Sequence, residues 1–402
     1  MQLPDGIRKS VNVLLCLAAV AAIGWSGREI WQTLDARRQI DAGCADLVPA
    51  GRVLALDRAG GEIVHRQGEE GTIELDALAE EAQDCELFSE KAGGRWFFTG
   101  RVGVFPTDAY VLPDDPVSSP VDRTGTRTYP AQPLGGGITG SVDDRGVTVQ
   151  LPCAGGELDG RPVTALWARA ELYASGIWEY GQPSANDRDV LAETAVLTAN
   201  NLAERLGCAD RLPDPPSEVP ALAEGPIPVG RAEGTCAWYR ESGLAGREGF
   251  PDTVLESRVD DGLWDEACAL VLSEDRARDV HSGRPDRGDG VSAPERPGDW
   301  YVALRTFLGE DARDVRVPRS GTEDPVPARP GTAGRSPDES VWWASSDCAG
   351  RPQIHTMTLA YGYDRLMAPR MERLFRAYVT EITERRDCAD PRFPEGDTFR
   401  VR

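Results

Sequence analysis

Lysine is almost missing from this chain. Only Lys9 and Lys91 occur; the rest of the 44 basic residues are arginine. A serine acyl-enzyme of the cell-wall type needs Ser-x-x-Lys, so that the amine can activate the hydroxyl. Gly6 and Phe88 stand three residues before the two lysines, so that motif is absent. The same shortage leaves the stretch Gly135-Gly136-Gly137-Ile138-Thr139-Gly140-Ser141 without the lysine of a phosphate-binding loop, and it reads as a linker end. Histidine is scarce too. His65, His281 and His355 stand alone, no CxxC pair exists, and HExxH and calcium-loop patterns are missing, so no metal or cofactor is expected. There is no excess of positive charge. The 66 Asp+Glu leave a net charge of −22, which excludes the basic surface that nucleic acid requires.

What is present begins with one apolar run. Val11 to Trp25 carries no charge, and Arg8-Lys9 precedes it. This fits a single-pass signal anchor of the plasma membrane, with a cytoplasmic tail (1–10), a span (11–27) and the bulk of the chain outside. The run is short against the 17–25 residues, roughly, of a spanning helix. A cleaved signal peptide is the alternative, with Ala19-Val20-Ala21 as the cleavage site. The apolar run continues past that site through Ala22, Ile23 and Trp25, which favours the anchor. Cys16 reads as an ordinary thiol inside the span. Residues 27–40 are expected to continue as a helix out of the membrane.

Eight cysteines lie beyond the span: Cys44, Cys85, Cys153, Cys208, Cys236, Cys268, Cys348 and Cys388. An even number suits four disulfides in an oxidising compartment, with metal ligation the weaker alternative. Their surroundings repeat. Cys-Ala-Asp occurs at 44, 208 and 388. Cys85 and Cys268 are each followed by an aromatic strand pattern, at Trp96-Phe97-Phe98 and Trp300-Tyr301-Val302. Cys153-Ala-Gly and Cys348-Ala-Gly each precede an apolar strand. The order reads as modules X (28–112), Y (137–212), X′ (228–314) and Y′ (335–396). Pairing within each module, as a tandem duplication would give, predicts Cys44–Cys85, Cys153–Cys208, Cys236–Cys268 and Cys348–Cys388.

The expected fold is α+β, with strand-strand-helix units behind the anchor. Val163 to Tyr173 is a predicted strand. The stripe Leu191, Ala195, Thr198, Leu202 and Leu206 predicts a helix over 187–206, capped by Asn186 or Asp187 and ended by Gly207. Met367, Met371, Leu374, Tyr378 and Ile382 repeat the same spacing, with Pro369 in the first turn and Arg385-Arg386 facing the negative helix end. Residues 51–57 and 95–102 read as strands, 74–83 as a short helix, and 299–305 as strand or helix start. The stretches 106–137, 211–229 and 316–338 read as linkers, and 275–298 as a solvated loop containing Arg287-Gly288-Asp289. His355 alternates with Met357, Leu359 and Tyr361, which predicts a half-buried structural histidine on a strand. Asp114-Asp115, Asp143-Asp144 and Asp260-Asp261 read as solvated turn charges.

Two motifs carry a resemblance. Leu151-Pro152-Cys153 ends a strand near a cysteine, and Gly207-Cys208 ends an Ala-rich helix. Together with the anchor and the repeated modules, the chain resembles actinobacterial membrane-anchored envelope proteins of unknown function. The resemblance implies an extracytoplasmic location and transfers no catalytic residue. The expected function is a non-enzymatic binding or scaffolding protein of the cell envelope, whose acidity favours a basic envelope protein, or a wall polymer reached through cations, as partner. The alternative is a carboxylate-dependent hydrolase acting on cell-wall glycans, which needs only two facing carboxylates.

Overall fold

The apolar run and the polar segment after it form one helix, α1 (Asp5–Gly43), in a computed structural model that describes residues 5–66, 71–106, 130–172, 183–222, 225–263, 265–282, 300–317, 325–337, 341–360 and 363–399. Its N-terminal part is long and apolar enough to cross a membrane, and none of it is buried in the protein. Its last turns are different. Ala36 and Ile40, with Cys44 just past the helix end, are buried in the core of the first unit.

The chain then runs through α2 (Ala50–Val53), β1 (Ile63–His65), β2 (Gln83–Ser89), β3 (Arg95–Phe105), β4 (Gln132–Gly135), β5 (Ile138–Val142), β6 (Gly146–Leu158), β7 (Arg161–Leu172) and α3 (Ala185–Arg205). A second set follows: β8 (Ile227–Pro228), α4 (Ala237–Glu241), β9 (Thr253–Glu256), β10 (Asp265–Val271), α5 (Glu274–Ser282), β11 (Tyr301–Leu308), α6 (Asp311–Asp314), β12 (Arg316–Val317), β13 (Val326–Pro327), β14 (Gly334–Arg335), β15 (Val341–Cys348), β16 (Arg351–Leu359), α7 (Tyr363–Arg385) and β17 (Ala389–Arg392). The first sheet has the order β1-β2-β3-β7-β6-β5-β4 and the second β14-β15-β16-β11-β10-β9-β8, with β17 also on β15. All pairings are antiparallel. The strands of X and Y therefore share one sheet, as do those of X′ and Y′.

The registers of the two sheets can be laid side by side. In the first, Cys85 faces Gly100, Gly100 faces Ala170, and Ala170 faces Val147. In the second, Cys268 faces Leu304, Leu304 faces Met357, and Met357 faces Trp342. Cys153 lies six residues after Val147, and Cys348 six after Trp342. α3 packs against β6 and β7 and α7 against β15 and β16, while the end of α1 packs against β1 and β2 of the first sheet. The helical stripes face these sheets. Every member from Leu191 to Leu206 and from Met367 to Ile382 is buried.

Four disulfides fasten these layers: Cys44–Cys85, Cys153–Cys208, Cys236–Cys268 and Cys348–Cys388. Two of them join the C-terminal end of the packing helix to the neighbouring strand. The first joins α1 to β2. There the backbone must come close: a Cβ on Gly100 would lie 2.8 Å from Val48 Cγ2 and 3.1 Å from Cys85 Sγ.

Several sequence expectations are corrected. Residues 51–57 are not a strand but α2 and a turn, because Ala50, Val53 and Leu56 are buried three residues apart. The 74–83 segment is only a 3-10 turn (Leu75–Ala79) before β2 begins. Of the two readings offered for 299–305, the strand holds: β11 begins at Tyr301. The cap of α3 is Ser184, whose hydroxyl accepts from Asp187 N, and not Asn186 or Asp187. Pro369 falls in the second turn of α7, since the helix starts at Tyr363. The glycines 135–137 are the tight turn between β4 and β5, all with positive φ. The start of the 275–298 loop is helical, as α5. Arg287-Gly288-Asp289 and Asp114-Asp115 lie outside the described residues.

The linkers also carry structure. β4, at the end of the 106–137 stretch, ties the sheets together. Gln132 Nε2 donates to the Glu256 carbonyl at 3.1 Å, and its Oε1 accepts from Arg258 N at 3.0 Å. Gly140 N donates to the Gly262 carbonyl at 3.0 Å. Nearby, Gln150 Nε2 donates to Asp311 Oδ2 at 2.9 Å.

Candidate functional site

The strongest concentration of polar chemistry lies under α7. On the helix-facing side of the second sheet, Glu266 faces Thr306, Thr306 faces His355, and His355 faces Ala344. His355 is fully buried, not half-buried, and both ring nitrogens are used. Nδ1 lies 2.8 Å from Thr306 Oγ1, and Nε2 lies 2.9 Å from Ser346 Oγ. Thr306 Oγ1 is 2.9 Å from Tyr378 OH on α7, and Ser346 Oγ donates to Gln353 Oε1 at 3.4 Å. Five side chains thus form one hydrogen-bonded chain inside the core. Burial pushes the His355 imidazole down to about 3, against a smaller opposing pull from Glu266, so the ring is neutral. One ring nitrogen then donates and the other accepts.

Beside it sits an ion cluster around the buried Glu266. Arg385 Nη2 donates to Glu266 Oε2 at 2.5 Å and Nη1 to Oε1 at 3.2 Å. Arg386 also pairs with Glu266, and Glu381 pairs with Arg385 at 3.2 Å. Burial would raise the Glu266 carboxyl. Hydrogen bonds from Arg385 and the charges of both arginines outweigh it and hold the group below the ordinary range. The two arginines therefore do more than complement the end of a helix: they neutralise a charge placed on the core side of β10.

The corresponding rung of the first sheet is Gln83, Val102, Ala168 and Val149. Leu151 occupies the place of Ser346, two residues further along. At these register positions the centre of the first sheet is apolar where that of the second is polar.

A Ser–His contact of 2.9 Å is the distance of a nucleophile and its base. The rest of the arrangement does not serve that chemistry. Ser346 is 5% exposed and His355 0%, and the second ring nitrogen meets a hydroxyl rather than a carboxylate.

The Asp143-Asp144 pair is likewise not a solvated turn. Asp143 is buried at the β5–β6 turn and takes a two-pronged bond from Arg169, at 2.7 and 3.1 Å. Its Oδ1 also accepts from the backbone of Arg145 and Gly146. Arg169 reaches Glu171 and Thr148 as well. Asp143 is held below the ordinary carboxylate range: its burial works against this, and Arg169 with the turn amides prevails. Asp144 is half-buried and pushed up to about 7, by burial first and then by Asp143. Asp260 accepts from Gly262 N at 2.7 Å and shapes its turn. His65 bonds Gln39 at 2.9 Å. Among the described residues, no three His, Cys, Asp or Glu side chains converge on a metal position.

Residue patterns placed Tyr378 on the buried stripe of its helix but gave no direct sign of Thr306, Ser346 or Glu266. One signal was present. Glu266 shares its strand face with Cys268 and Leu270, so a charge stood on a buried face and required a partner. Comparison with family models, curated proteins and solved structures gave no match.

Proposed function

We propose that the protein is a membrane-anchored, extracytoplasmic binding or scaffolding protein of the cell envelope, built by tandem duplication of a disulfide-stapled sheet-and-helix unit. The observation that carries this reading is α1. One helix leaves the apolar segment and ends inside the first unit, where Ala36 and Ile40 are buried and Cys44 bonds Cys85. That attachment sets the folded part about 12 Å beyond Arg28, at 1.5 Å per residue, and suits a protein that presents surfaces close to a membrane. The disulfides suit an oxidising compartment. The matched registers of the two sheets support the duplication, and an actinobacterial envelope origin accords with the quoted motifs. Duplication supplies two related surfaces on one anchor, which raises effective concentration for a repetitive or bivalent partner. Nearly all of the negative charge lies beyond the span, which favours a basic partner.

The hydrolase alternative has less support. In the Asp143-Asp144 pair one carboxylate is already consumed by Arg169. Two measurements test the reading. An impermeant protease added to intact, wall-stripped cells should digest the bulk of the chain; full protection until lysis would reverse the topology. Purified protein incubated with wall glycan should release no soluble sugar; time-dependent release would favour the hydrolase.

A further inference from the structure

The polar rung of the second sheet brings together three groups that can react with one another. Ser346 and Gln353 face each other in the β15–β16 ladder. His355 stands two residues beyond Gln353 on the same strand, and so on the same face. Ser346 Oγ lies 2.9 Å from His355 Nε2 and 3.4 Å from Gln353 Oε1. A hydroxyl, an imidazole and a carboxamide are therefore in mutual reach, and all three residues are buried. At the matching register positions of the first sheet, Leu151 faces Leu166, and Ala168 stands two residues beyond. Packing at these positions can thus be met without any polar group.

A hydroxyl has one proton to give. Directed at Nε2, the nearer of its two acceptors, it leaves an Oγ lone pair free for the carboxamide. The ring then carries its own proton on Nδ1 and donates it to Thr306 Oγ1 at 2.8 Å. Thr306 Oγ1 is held in turn by Tyr378 OH on α7. Burial keeps the ring neutral, so Nε2 is able to accept. Nucleophile, base and orienting group stand in line. Burial and the missing carboxylate count against turnover of an outside substrate. They do not count against an electrophile that belongs to the same sheet. There burial holds the two partners in contact and keeps out water, the competing nucleophile. A step that happens once in the life of each molecule also tolerates a weak base.

We propose that Ser346 and Gln353 join in an intramolecular ester, with His355 as the base. Ser346 Oγ attacks the side-chain carbonyl carbon of Gln353 and gives its proton to His355 Nε2. The tetrahedral intermediate then expels the amide nitrogen, which takes that proton from the imidazolium and leaves as ammonia. One C–N bond breaks and one C–O bond forms. Nothing is oxidised or reduced, and the ring ends neutral. Ammonia is protonated and diluted in water, so the step does not reverse. The link clasps β15 to β16 beside the Cys348–Cys388 bridge and, unlike that bridge, needs no oxidant.

The test is a mass measurement on the purified, folded full-length chain, digested after its disulfides are reduced. Arg351 precedes Pro352, so trypsin leaves both residues in one peptide, 336–365, in which Gln353 is the only carboxamide. That peptide should be lighter than its sequence by about 17 Da, the ammonia expelled when the nucleophile is acylated. It should also give no backbone fragments from within 346–353. Hydroxylamine added to the peptide should open the ester and leave a hydroxamate at position 353. Ser346→Ala and Gln353→Leu should each show the full sequence mass. His355→Ala, with its fold checked by circular dichroism, should remain largely unlinked. The wild-type measurement needs no variant to fold. A wild-type peptide at its full sequence mass overturns the ester, as does a deficit that survives Ser346→Ala. A folded His355→Ala protein linked as completely as wild type overturns the role of the histidine as base.

Discussion

Glu266 and Arg385 are 119 residues apart in the chain and 2.5 Å apart in space. The contact joins β10 to the end of α7 across the core of the second unit. Glu266 is 0% exposed, so its charge is tolerable only because two guanidinium groups meet it. Glu266→Gln removes the charge and leaves two half-buried cations facing a neutral amide. Breaking a buried pair from one side costs about 3–5 kcal/mol, and a denaturant midpoint at pH 7 should fall accordingly. The pH dependence follows from the lowered pKa. Wild-type Glu266 contributes stability above the ordinary carboxylate value and loses it as pH falls through its lower folded value. The two proteins should therefore converge in acid; a gap that persists undiminished would mean that the charge is not what matters.

The polar rung offers a second test because the first sheet supplies its apolar counterpart. His355→Ala leaves the hydroxyls of Thr306 and Ser346 without their common partner and opens a cavity, at about 2–4 kcal/mol. Adding Thr306→Val and Ser346→Leu copies the first sheet at these positions, and the triple variant should recover part of the loss. The histidine also has a pH signature. Its folded pKa lies near 3, below the ordinary 6.5, so its contribution is complete above about 6.5 and declines as pH falls. The stability of wild type relative to either variant should fall as pH drops into that window, by up to about 1.4 kcal/mol per pH unit, until the advantage is lost. A constant difference would show that the ring is not held neutral.

These two sites mark where sequence reading stops. The stripe from Met367 to Ile382 was legible because a helix with one covered face writes its period into the residues. The four-bridge framework was legible because each bridge joins two cysteines that are consecutive in the chain. His355 was legible as a strand residue but not as a fully buried one. Alternation distinguishes the two faces of a strand, yet here Thr356 and Thr358 on the other face are buried as well. The network was illegible because its members come from β10, β11, β15, β16 and α7, and no local pattern links them. Residues 51–57 misled for a different reason: Val53 and Leu56 have strand-like composition, but their burial is three residues apart, which is helical.

Gly100 is a position where one methyl group should be felt. Its place in the second sheet is held by Leu304, so the rung itself accommodates a side chain. What forbids one in the first sheet is the Cys44–Cys85 bridge and Val48 pressed onto the strand. Gly100→Ala should destabilise by about 1–3 kcal/mol through overpacking. Combining it with Val48→Ala should relieve part of that cost, since the closest contact is to the Val48 side chain. Equal, additive losses in a double-mutant cycle would place the strain elsewhere.

Asp144 should be the carboxylate whose removal helps. Burial and the neighbouring Asp143, itself kept ionised by Arg169, lift it to about 7. The folded state therefore holds a proton that the unfolded chain has already released above about pH 4. Stability falls as pH rises through that interval, and above pH 7 the folded protein carries an ionised carboxylate in a place that disfavours it. Asp144→Asn keeps the shape and removes the charge. The variant should match wild type near pH 4 and exceed it at pH 8, with the gap opening between those values. Asp143→Asn should do the opposite at neutral pH, because it strips Arg169 of a buried partner, and it should bring Asp144 back toward its ordinary value. Urea midpoints at pH 4, 6 and 8 read the first effect, and a carboxyl titration by NMR reads the second. An Asp144→Asn protein no more stable than wild type at pH 8 would show that the side chain reaches water and ionises freely.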